Sequence, residues 1–356
     1  MKFVLVGKCF SSATGGPGAV MKALAGQLEG NPEARVLFWN EERGKIPFLW
    51  ALLRQLLSSA PCVINVHTDG LLIPAVVLLS SGIFRRHRYY MTLHGVYAIE
   101  STFTGKVRRD YLWLEKWLCR RFPNIICVSQ QQKADIKELY GREKQVLVIP
   151  NGTDAVPRRE EPLSWEGRLE LVNLGGLRKR KGLDESLGLV ALLKARDMDV
   201  HLSIYGPEEG TRTRDWLRDR CGRLGLSEQV SFHGPERDRE KIYSILERSH
   251  AQLCLSGYDT FNVAIAESLA LGCPCISSHR CGAAFLIEDG ENGLVTDPTQ
   301  PVSRERMYDF LRSLVRSPEK RERIRLRAEA YRRQLSWEGV CRQYLALAED
   351  TKECNP

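Results

Sequence analysis

Short apolar runs alternate along the chain with segments in which apolar residues recur at helical spacing. The runs at residues 3–6 and 251–255 predict buried strands, each followed by a turn and a helical pattern. Further strands are predicted at residues 61–66, 89–93, 145–149, 169–174 and 200–205. This alternation is typical of α/β proteins with parallel sheets, which bind ligands at the carboxyl ends of their strands. We therefore expect functional residues in the turns that follow the strands.

The stretch 251–278 carries most of the candidate chemistry. A strand at 251–255 leads through a turn into a helix at about 262–271, and a second apolar run at 273–277 follows. The first backbone N–H groups of such a helix lack internal partners and carry the positive end of the helix dipole. The turn before the helix can therefore bind an anion such as a diphosphate. Its residues are Thr260, Phe261, Asn262 and Val263.

Glu267 lies further along the same predicted helix. At ~1.5 Å of rise per residue, it is roughly 7 Å along the axis from the amides of the turn. This is about the span from the diphosphate of a nucleotide to its ribose hydroxyls, and a carboxylate can accept hydrogen bonds from both hydroxyls. The spacing therefore predicts that Glu267 binds ribose.

The spacing of two acids in this stretch resembles a known pattern. Seven residues separate Asp259 from Glu267, and the string SLALGCP follows Glu267. This resembles the signature of GT-B glycosyltransferases of family 4, which usually reads Glu-x-Phe-Gly, four residues, then Glu-Ala-x-Ala-x-Gly-x-Pro. Asp259 replaces a Glu of that signature, and Asn262 replaces its Gly. The resemblance implies that Asp259 lies by the donor sugar with a catalytic role and that Glu267 binds ribose. An ordinary strand–helix–strand unit with solvated acids is the alternative.

Two motifs of the first half are similar to motifs of the same family. A glycine-rich turn after the first strand contains Gly15 and Gly16, which let the backbone approach a ligand closely. It resembles the family's glycine loop, whose amides face the donor diphosphate, although a simple tight turn is the alternative. His67 and His94 both follow predicted strands. The sequence Thr-Leu-His-Gly around His94 resembles a family motif near the donor sugar and the acceptor, so His94 is the second catalytic candidate.

A cationic turn follows the predicted strand at 169–174. Its sequence GGLRKRKG resembles the family's Gly-Arg-Leu, three residues, Lys-Gly, with Lys181 at the Lys position and Gly176 at the Arg position. Cations after a strand can neutralise a leaving diphosphate. We therefore assign Lys181 to donor binding and expect Arg178 to supply the missing charge. A solvated basic turn is the alternative.

Composition limits the class of protein. The chain has 356 residues, 43% of them hydrophobic and 27% charged, which is typical of a soluble globular protein of two domains. Its eleven cysteines are an odd number and are scattered, which favours a reducing compartment over a disulfide framework.

Two strings could suggest a metal site, but we expect no metal at either. No His or Cys pair completes a site with the cysteines at 273–281. The Asp-Met-Asp string at 197–199 precedes a strand, so we expect a connecting turn at that string. The N-terminus reads as a first strand rather than a signal peptide, and no run of 18 apolar residues occurs.

Positive charge is concentrated in the first half. Residues 1–154 contain 20 Lys and Arg against 12 Asp and Glu, a balance of +8 that equals the whole chain's +8. Basic residues interleave with aromatic ones at 84–121, which suits solvated faces or an anionic membrane surface better than nucleic acid, because no nucleic-acid module accompanies them. Residues 45–59 have apolar residues at helical spacing with few charges, which favours a core helix over a surface that touches lipid or a partner.

The resemblance implies a GT-B fold, with two Rossmann-like parallel-sheet domains facing a central cleft. We expect an acceptor-side domain at 1–155, a nucleotide-sugar-binding domain at 156–335, and a C-terminal helix at 336–356 that packs back on the first domain. The implied function is a retaining, metal-independent transferase of the hexosyltransferase type with no cofactor. It would move a sugar from a nucleotide-sugar donor to a glycan, lipid-linked or small-molecule acceptor in bacterial cell-surface polysaccharide, lipopolysaccharide or glycolipid synthesis. The expected location is cytoplasmic, with peripheral attachment to the inner face of the membrane. The alternatives are a sugar-nucleotide epimerase of similar fold and a non-catalytic sugar-nucleotide-binding protein.

Overall fold

The computed structural model describes residues 1–8, 16–40, 44–105, 107–154, 156–157, 163–208 and 213–349. The chain forms two compact units, one of Met1–Asp154 with Leu335–Pro356 and one of Ala155–Gln334. Each unit contains a six-stranded sheet, and the strand pairs of both sheets are parallel. The α/β class with parallel sheets, which the alternation of strands and helices predicted, is confirmed, as are the two parallel-sheet domains that the resemblance implied.

The first unit has six strands in the order β2-β1-β3-β4-β5-β6. The strands are β1 (Lys2–Lys8), β2 (Ala34–Trp39), β3 (Cys62–His67), β4 (Arg88–Leu93), β5 (Asn124–Cys127) and β6 (Val146–Val148). The helices that connect them are α1 (Gly16–Leu28), α2 (Lys45–Leu57), α3 (Leu72–Ile83), α4 (Tyr97–Thr104), α5 (Arg109–Arg121) and α6 (Gln130–Tyr140).

The first sheet is buried on both faces. Val4 and Val6 of β1 belong to a hydrophobic cluster that includes side chains of α2, α3, α5 and α6. Phe3 and Leu5 point to the opposite face and join a second cluster with α1. Successive side chains of a strand point to opposite faces, so a strand covered on both sides must be apolar throughout.

The second unit has six strands in the order β12-β11-β10-β7-β8-β9. They are β7 (Leu169–Asn173), β8 (Val200–Ile204), β9 (Val230–Phe232), β10 (Ala251–Cys254), β11 (Cys275–Ser278) and β12 (Gly293–Thr296). The helices are α7 (Leu183–Ala195), α8 (Thr213–Arg223), α9 (Arg239–Glu247), α10 (Val263–Leu271), α11 (Val302–Arg316) and α12 (Pro318–Gln334). The strand order reverses between β7 and β10, and such a switch point is where open α/β sheets bind ligands.

The C-terminal helix α13 (Trp337–Glu349) belongs to the first unit. The N–H of Thr153 donates to the carbonyl of Leu335 at 2.7 Å, just before this helix. Val340 and Tyr344 are buried in the cluster that holds Phe3, and the rings of Tyr344 and Phe3 lie 6.2 Å apart. The segment that ends the chain therefore completes one face of the first sheet.

One expectation about burial is wrong in part. Most of the segment 45–59 does form a helix, α2 (Lys45–Leu57), but only one side of it lies in the core. Phe48 and Leu52 are buried, whereas Ile46 and Trp50 are 70% and 67% exposed. Both sides of α2 are apolar, so the spacing of its residues could not distinguish the buried side from the exposed one. No helix among the described residues combines the length and apolar character needed to cross a membrane.

Tyr344 provides a test of how α13 is packed. We expect Tyr344→Ala to lower the free energy of unfolding by about 3 to 5 kcal/mol, the range for large buried aromatic side chains. Tyr344→Phe keeps the ring and should cost far less. Urea unfolding followed by circular dichroism measures both variants. Equal midpoints for Tyr344→Ala and the wild type would show that α13 is not part of this core.

Candidate functional site

The candidate site of the second unit lies at the carboxyl ends of β7 and β10, which are paired neighbours in the sheet. The turn after β7 contains a short 3-10 helix, Lys179–Lys181, and the turn after β10 leads into α10. Because parallel strands leave a sheet at the same edge, both turns reach the same place. This is the location expected of a ligand site in an open α/β sheet.

The two turns are in direct backbone contact. Gly182 has a φ of 63°, and a Cβ atom placed on it would lie 1.9 Å from the carbonyl oxygen of Leu255. The N–H of Gly257 also donates to the carbonyl of Arg180 at 2.7 Å. Only glycine fits at position 182, since both the left-handed φ and the missing space exclude a side chain. The contact fixes the cationic turn against the end of β10.

Lys181 and Asp259 form an ion pair across these turns. The Nζ of Lys181 lies 2.5 Å from Oδ2 of Asp259, and the two side chains are only 11% and 16% exposed. Arg180 approaches the same carboxylate oxygen at 3.7 Å and donates to the carbonyl of Tyr258. The lysine assigned to a diphosphate is thus paired with the acid assigned to the sugar. A lysine ammonium has three donors, so it can bond a carboxylate and a phosphate oxygen together.

Main-chain hydrogen bonds hold the turn that carries Asp259. The N–H of Asp259 donates to the carbonyl of Arg280 at 3.0 Å, and the N–H of Gly282 donates to the carbonyl of Asp259 at 2.7 Å. Phe261, in the same turn, accepts from the N–H of Ala283 at 2.6 Å. The side chains of Thr260 and Phe261 are buried, so they contribute to packing, and the surface open to a ligand lies beyond them at the start of α10.

Asn262 explains one departure from the family signature. It immediately precedes α10 and has a φ of 70° and a ψ of 82°. This is the left-handed region, where glycine is unstrained and Asn is among the best tolerated of the other residues. Asn262 therefore fits this backbone at the position where the family signature usually has Gly. Val263, which is half-buried, is the first residue of α10.

Glu267 is almost fully buried and paired. It is 3% exposed in the middle of α10, and Arg239 at the start of α9 donates a short hydrogen bond to its Oε1. Burial alone would lower the pKa of Arg239, but the attraction of Glu267 outweighs burial and raises that pKa above its usual value. The pair fixes the orientation of the Glu267 carboxylate. Sequence reasoning missed Arg239, because it lies 28 residues from Glu267 in a charged stretch with no recognisable spacing.

The family's Arg position is occupied by Gly176 for a local reason. Gly176 has a φ of 78°, and a Cβ atom there would lie 2.8 Å from the carbonyl oxygen of Pro207. Its N–H donates to the carbonyl of Tyr205 at 2.8 Å, so the two turns are packed backbone to backbone. No larger residue fits this backbone. Arg178 is half-buried, and among the described residues its side chain has no hydrogen bond or ion pair, so its assignment to the donor stays a prediction.

The candidates of the first unit lie at the carboxyl ends of β3 and β4. Gly15 lies outside the described residues, and Gly16 is the first residue of α1. His94 follows β4 and His67 ends β3, and Nε2 of His94 lies 2.9 Å from Nδ1 of His67. Burial lowers the pKa of His94 to about 4. Burial and the neighbouring His94 lower the pKa of His67 well below its usual value. The two imidazoles are therefore a neutral pair in which one ring donates to the other.

Glu115 supports the loop that carries His94. It is a buried residue of α5, and its carboxylate accepts from the N–H groups of Tyr97 and Ala98 at 2.7 and 3.0 Å. It also accepts from the hydroxyl of Tyr140 at 2.5 Å. The two amides belong to the first turn of α4, so Glu115 stabilises the start of the helix that follows His94. The sequence offered no signal for this role.

Two models of glycosyltransferase families match this chain. The model of the family described as glycosyl transferases group 1 matches residues 156–331, and that of glycosyltransferase family 4 matches residues 15–156.

The chain belongs to the group 1 glycosyltransferases.

This glycosyltransferase is similar in sequence to several curated enzymes and in fold to several solved structures. It is 26% identical to glycogen synthase of Mycobacterium tuberculosis over 312 residues, which cover 83% of this chain and 71% of that enzyme. The match to another curated relative, a D-inositol 3-phosphate glycosyltransferase of Nocardia farcinica, covers only 54% of the length of that enzyme. Sucrose-phosphate synthase from Thermosynechococcus elongatus has a TM-score of 0.75 at 16% identity, with 100% of both chains covered. HepE of Anabaena, solved in complex with UDP-glucose, has a TM-score of 0.71 at 18% identity, with 98% of this chain and 100% of that one covered. These structures confirm the GT-B fold predicted from the sequence.

Candidate metal ligands do not cluster in the described part of this glycosyltransferase. Asp197 has a φ of 58° in the turn between α7 and β8, and Asp199 pairs with Arg168 at 3.4 Å. The string 197–199 is therefore a connecting turn. Among the described residues, no group of three or more His, Cys, Asp and Glu side chains is arranged to hold a metal ion.

Asn262 provides a test of the turn before α10. We expect Asn262→Gly to be close to wild type in thermal stability and nucleotide affinity. Asn262→Val should lower the free energy of unfolding by about 1 to 3 kcal/mol, because a β-branched residue is strained at a positive φ. Differential scanning fluorimetry and calorimetric titration with nucleoside diphosphates compare the two. A valine variant as stable as the wild type would contradict the requirement for a left-handed residue.

The histidine pair predicts an unusual pH dependence. The pKa of His94 is about 4 in the folded chain and about 6.5 in an unfolded one, so the unfolded chain binds its proton first as the pH falls. Stability from this site is therefore present above pH ~6.5 and is lost as the pH falls from ~6.5 towards ~4. NMR titration, with His94→Gln to assign the imidazole signal, measures the pKa. A His94 signal that titrates near pH 6.5 would refute the buried pair.

Proposed function

We propose that this group 1 glycosyltransferase transfers a sugar from a nucleotide-sugar donor to an acceptor with retention of configuration, as a hexosyltransferase. The observation that supports this most is the Lys181–Asp259 pair beside the start of α10, with Glu267 buried further along the same helix. These three residues match the three parts of such a donor: Asp259 matches the sugar, Lys181 the diphosphate and Glu267 the ribose. The fold shared with HepE, solved with UDP-glucose, favours the same class of donor.

Each part of the donor has a partner in the second unit. The diphosphate lies at the first amides of α10, where the helix dipole favours an anion, and the ammonium of Lys181 bonds to one of its oxygens. Glu267, held by Arg239, accepts from the ribose hydroxyls. Asp259 accepts from a hydroxyl of the sugar. Since Lys181 already bonds Asp259, binding the donor extends an existing pair rather than uncovering a new charge.

The reaction would be favoured by positive charge near the leaving group. As the bond between the anomeric carbon and the diphosphate lengthens, negative charge grows on the leaving diphosphate. Lys181, which is held by Asp259, and the helix amides oppose that charge without having to reorganise, and Arg178 adds a further cation. We infer that these cations neutralise the leaving group without a metal ion, and that the enzyme uses the nucleotide sugar as a co-substrate and no cofactor.

The acceptor is assigned to the first unit. Its positive balance of +8 over residues 1–154 suits an anionic acceptor or one presented at an anionic surface. His94, as a neutral imidazole, can accept the proton of an acceptor hydroxyl as the new bond forms. We place the acceptor among the glycans and lipid-linked glycans of bacterial surface polysaccharide, lipopolysaccharide or glycolipid synthesis.

Two acid variants test the donor assignment. We expect Glu267→Ala to weaken binding of both a nucleoside diphosphate and its sugar nucleotide by at least about tenfold, because charge-assisted bonds to ribose are each worth roughly 1.5 to 3 kcal/mol. Asp259→Ala should spare the nucleoside diphosphate and weaken only the sugar nucleotide. Calorimetric titration with UDP-, GDP- and ADP-sugars measures these affinities. Glu322→Ala, an acid variant on the exposed side of α12, serves as the control.

The same titrations, together with assays of sugar transfer, hydrolysis and epimerisation, separate the alternatives. Wild-type affinity for both ligands in both variants would remove the donor assignment. Donor binding without transfer or hydrolysis would instead indicate a non-catalytic binding protein, and a change of the sugar without acceptor would indicate an epimerase. Addition of EDTA should change neither affinity nor rate, and loss of activity on that addition would contradict the metal-free mechanism.

A further inference from the structure

Helix α2 exposes a continuous apolar stripe. Its exposed side chains are between 41% and 70% accessible and recur at the three- and four-residue spacing of one helix face. They are Ile46, Leu49, Trp50, Leu53 and Leu57. The opposite face, with Phe48 and Leu52, is buried against the sheet. The exposed stripe therefore contributes nothing to the core of the unit.

Helix α3 repeats this pattern. Its exposed apolar side chains are between 39% and 75% accessible, and they lie at intervals of four, three and four residues. They are Leu72, Val76, Leu79 and Ile83. Val77 and Leu78 on the other face are buried. No residue of α3 carries a charge, so water meets an uncharged apolar face along the whole helix.

The two stripes belong to one surface. The buried faces of α2 and α3 join the same hydrophobic cluster, so both helices cover the same face of the first sheet. Arg86 connects their ends, because its guanidinium donates to the carbonyls of Leu56 at 3.0 Å and Ser58 at 2.6 Å. We call the nine exposed side chains the α2–α3 face. Contiguous apolar patches of this kind mark binding surfaces for proteins or membranes.

The charges around the face select the partner. Between residues 44 and 99 the chain has five basic residues and a single acid, Asp69. The basic residues are Lys45, Arg54, Arg85, Arg86 and Arg88. Arg54 lies on α2 beside the stripe, and Arg85 follows the last residue of the α3 stripe by two positions, and both are exposed. An apolar surface bordered by cations and nearly free of acids is complementary to a partner with an apolar interior beneath an anionic surface layer.

We propose that the α2–α3 face docks this glycosyltransferase on an anionic lipid bilayer. The helices have 13 and 12 residues, roughly 20 Å at the helical rise per residue, so they suit the plane of the interface rather than a crossing of its ~30 Å core. Trp50 and the leucines enter the boundary between headgroups and acyl chains, while Arg54 and Arg85 remain at the headgroups. Each nearby cation contributes about 1 kcal/mol on an anionic surface. This inference concerns the first unit and does not depend on the donor assignment.

Flotation of the full chain with lipid vesicles tests the proposal. The wild type should float with vesicles of phosphatidylcholine mixed with phosphatidylglycerol at low salt. It should float much less with pure phosphatidylcholine, and less in 1 M salt, where charges are screened beyond about 3 Å. The double variant Trp50→Gln, Leu79→Gln should lose on the order of tenfold or more in partitioning, because two apolar side chains no longer enter the bilayer. Arg54→Gln with Arg85→Gln should lose the preference for anionic vesicles.

Matched controls lie in the other unit. Trp216 on α8 is 51% exposed, and Trp216→Gln should float like the wild type. All of these side chains are exposed, so the variants should melt like the wild type, which fluorimetry checks. Absent flotation, equal flotation with neutral vesicles, or full flotation of the Trp50 and Leu79 variant would each overturn the proposal. A wild-type dimer that the same variant converts to monomers, without lipid binding, would overturn it in favour of a second copy as the partner.

Discussion

The close approach of Gly182 to the carbonyl of Leu255 is the constraint on which the candidate site depends. No side chain fits between these two backbones, so the end of β10 and the cationic turn after β7 pack directly against each other. Lys181 precedes the glycine directly, and its ammonium therefore reaches Asp259 at 2.5 Å. A residue with a Cβ at position 182 would have to push the lysine turn away from the strand, and the pair would be lost with it.

Both acids of the proposed donor site are already matched by cations. Asp259 faces Lys181 and Arg180, and Glu267 faces Arg239. Leaving a buried carboxylate without a partner costs several kcal/mol, and these cations offset that cost for both acids. Three cations stand against these two acids, and the remaining positive charge is available to a diphosphate. The site is therefore organised before the donor arrives, which reduces the cost of binding.

The sequence predicted those features whose causes are local. The strands that end near Asp259, Lys181 and His94 were predicted from short apolar runs, and the α/β class followed from their alternation. The two units were predicted from the length of the chain and from the family resemblance. Asn262 and Gly176 looked like defects in the family signature, because a left-handed φ and a backbone contact with Pro207 are visible only in three dimensions.

Features that depend on distant partners were missed or misplaced. Arg239 and Glu267 are 28 residues apart, and His67 and His94 are 27 apart, so no periodicity connects them. The exposed side of α2 was expected in the core, since an apolar pattern on both helix faces does not show which face the sheet covers. The membrane hypothesis was accordingly placed on residues 84–121, whereas nine of the fourteen large apolar side chains that are exposed in the described part of the first unit lie on α2 and α3.

A crystal structure of the complex with UDP tests the proposed donor site. We expect both ribose hydroxyls within about 3.2 Å of the Glu267 carboxylate, with the diphosphate at the first amides of α10 and in contact with Lys181. We also expect Lys181 still to bond Asp259 in that complex. A nucleotide bound elsewhere in the second unit, or a ribose without contact to Glu267, would contradict the assignment of the donor site.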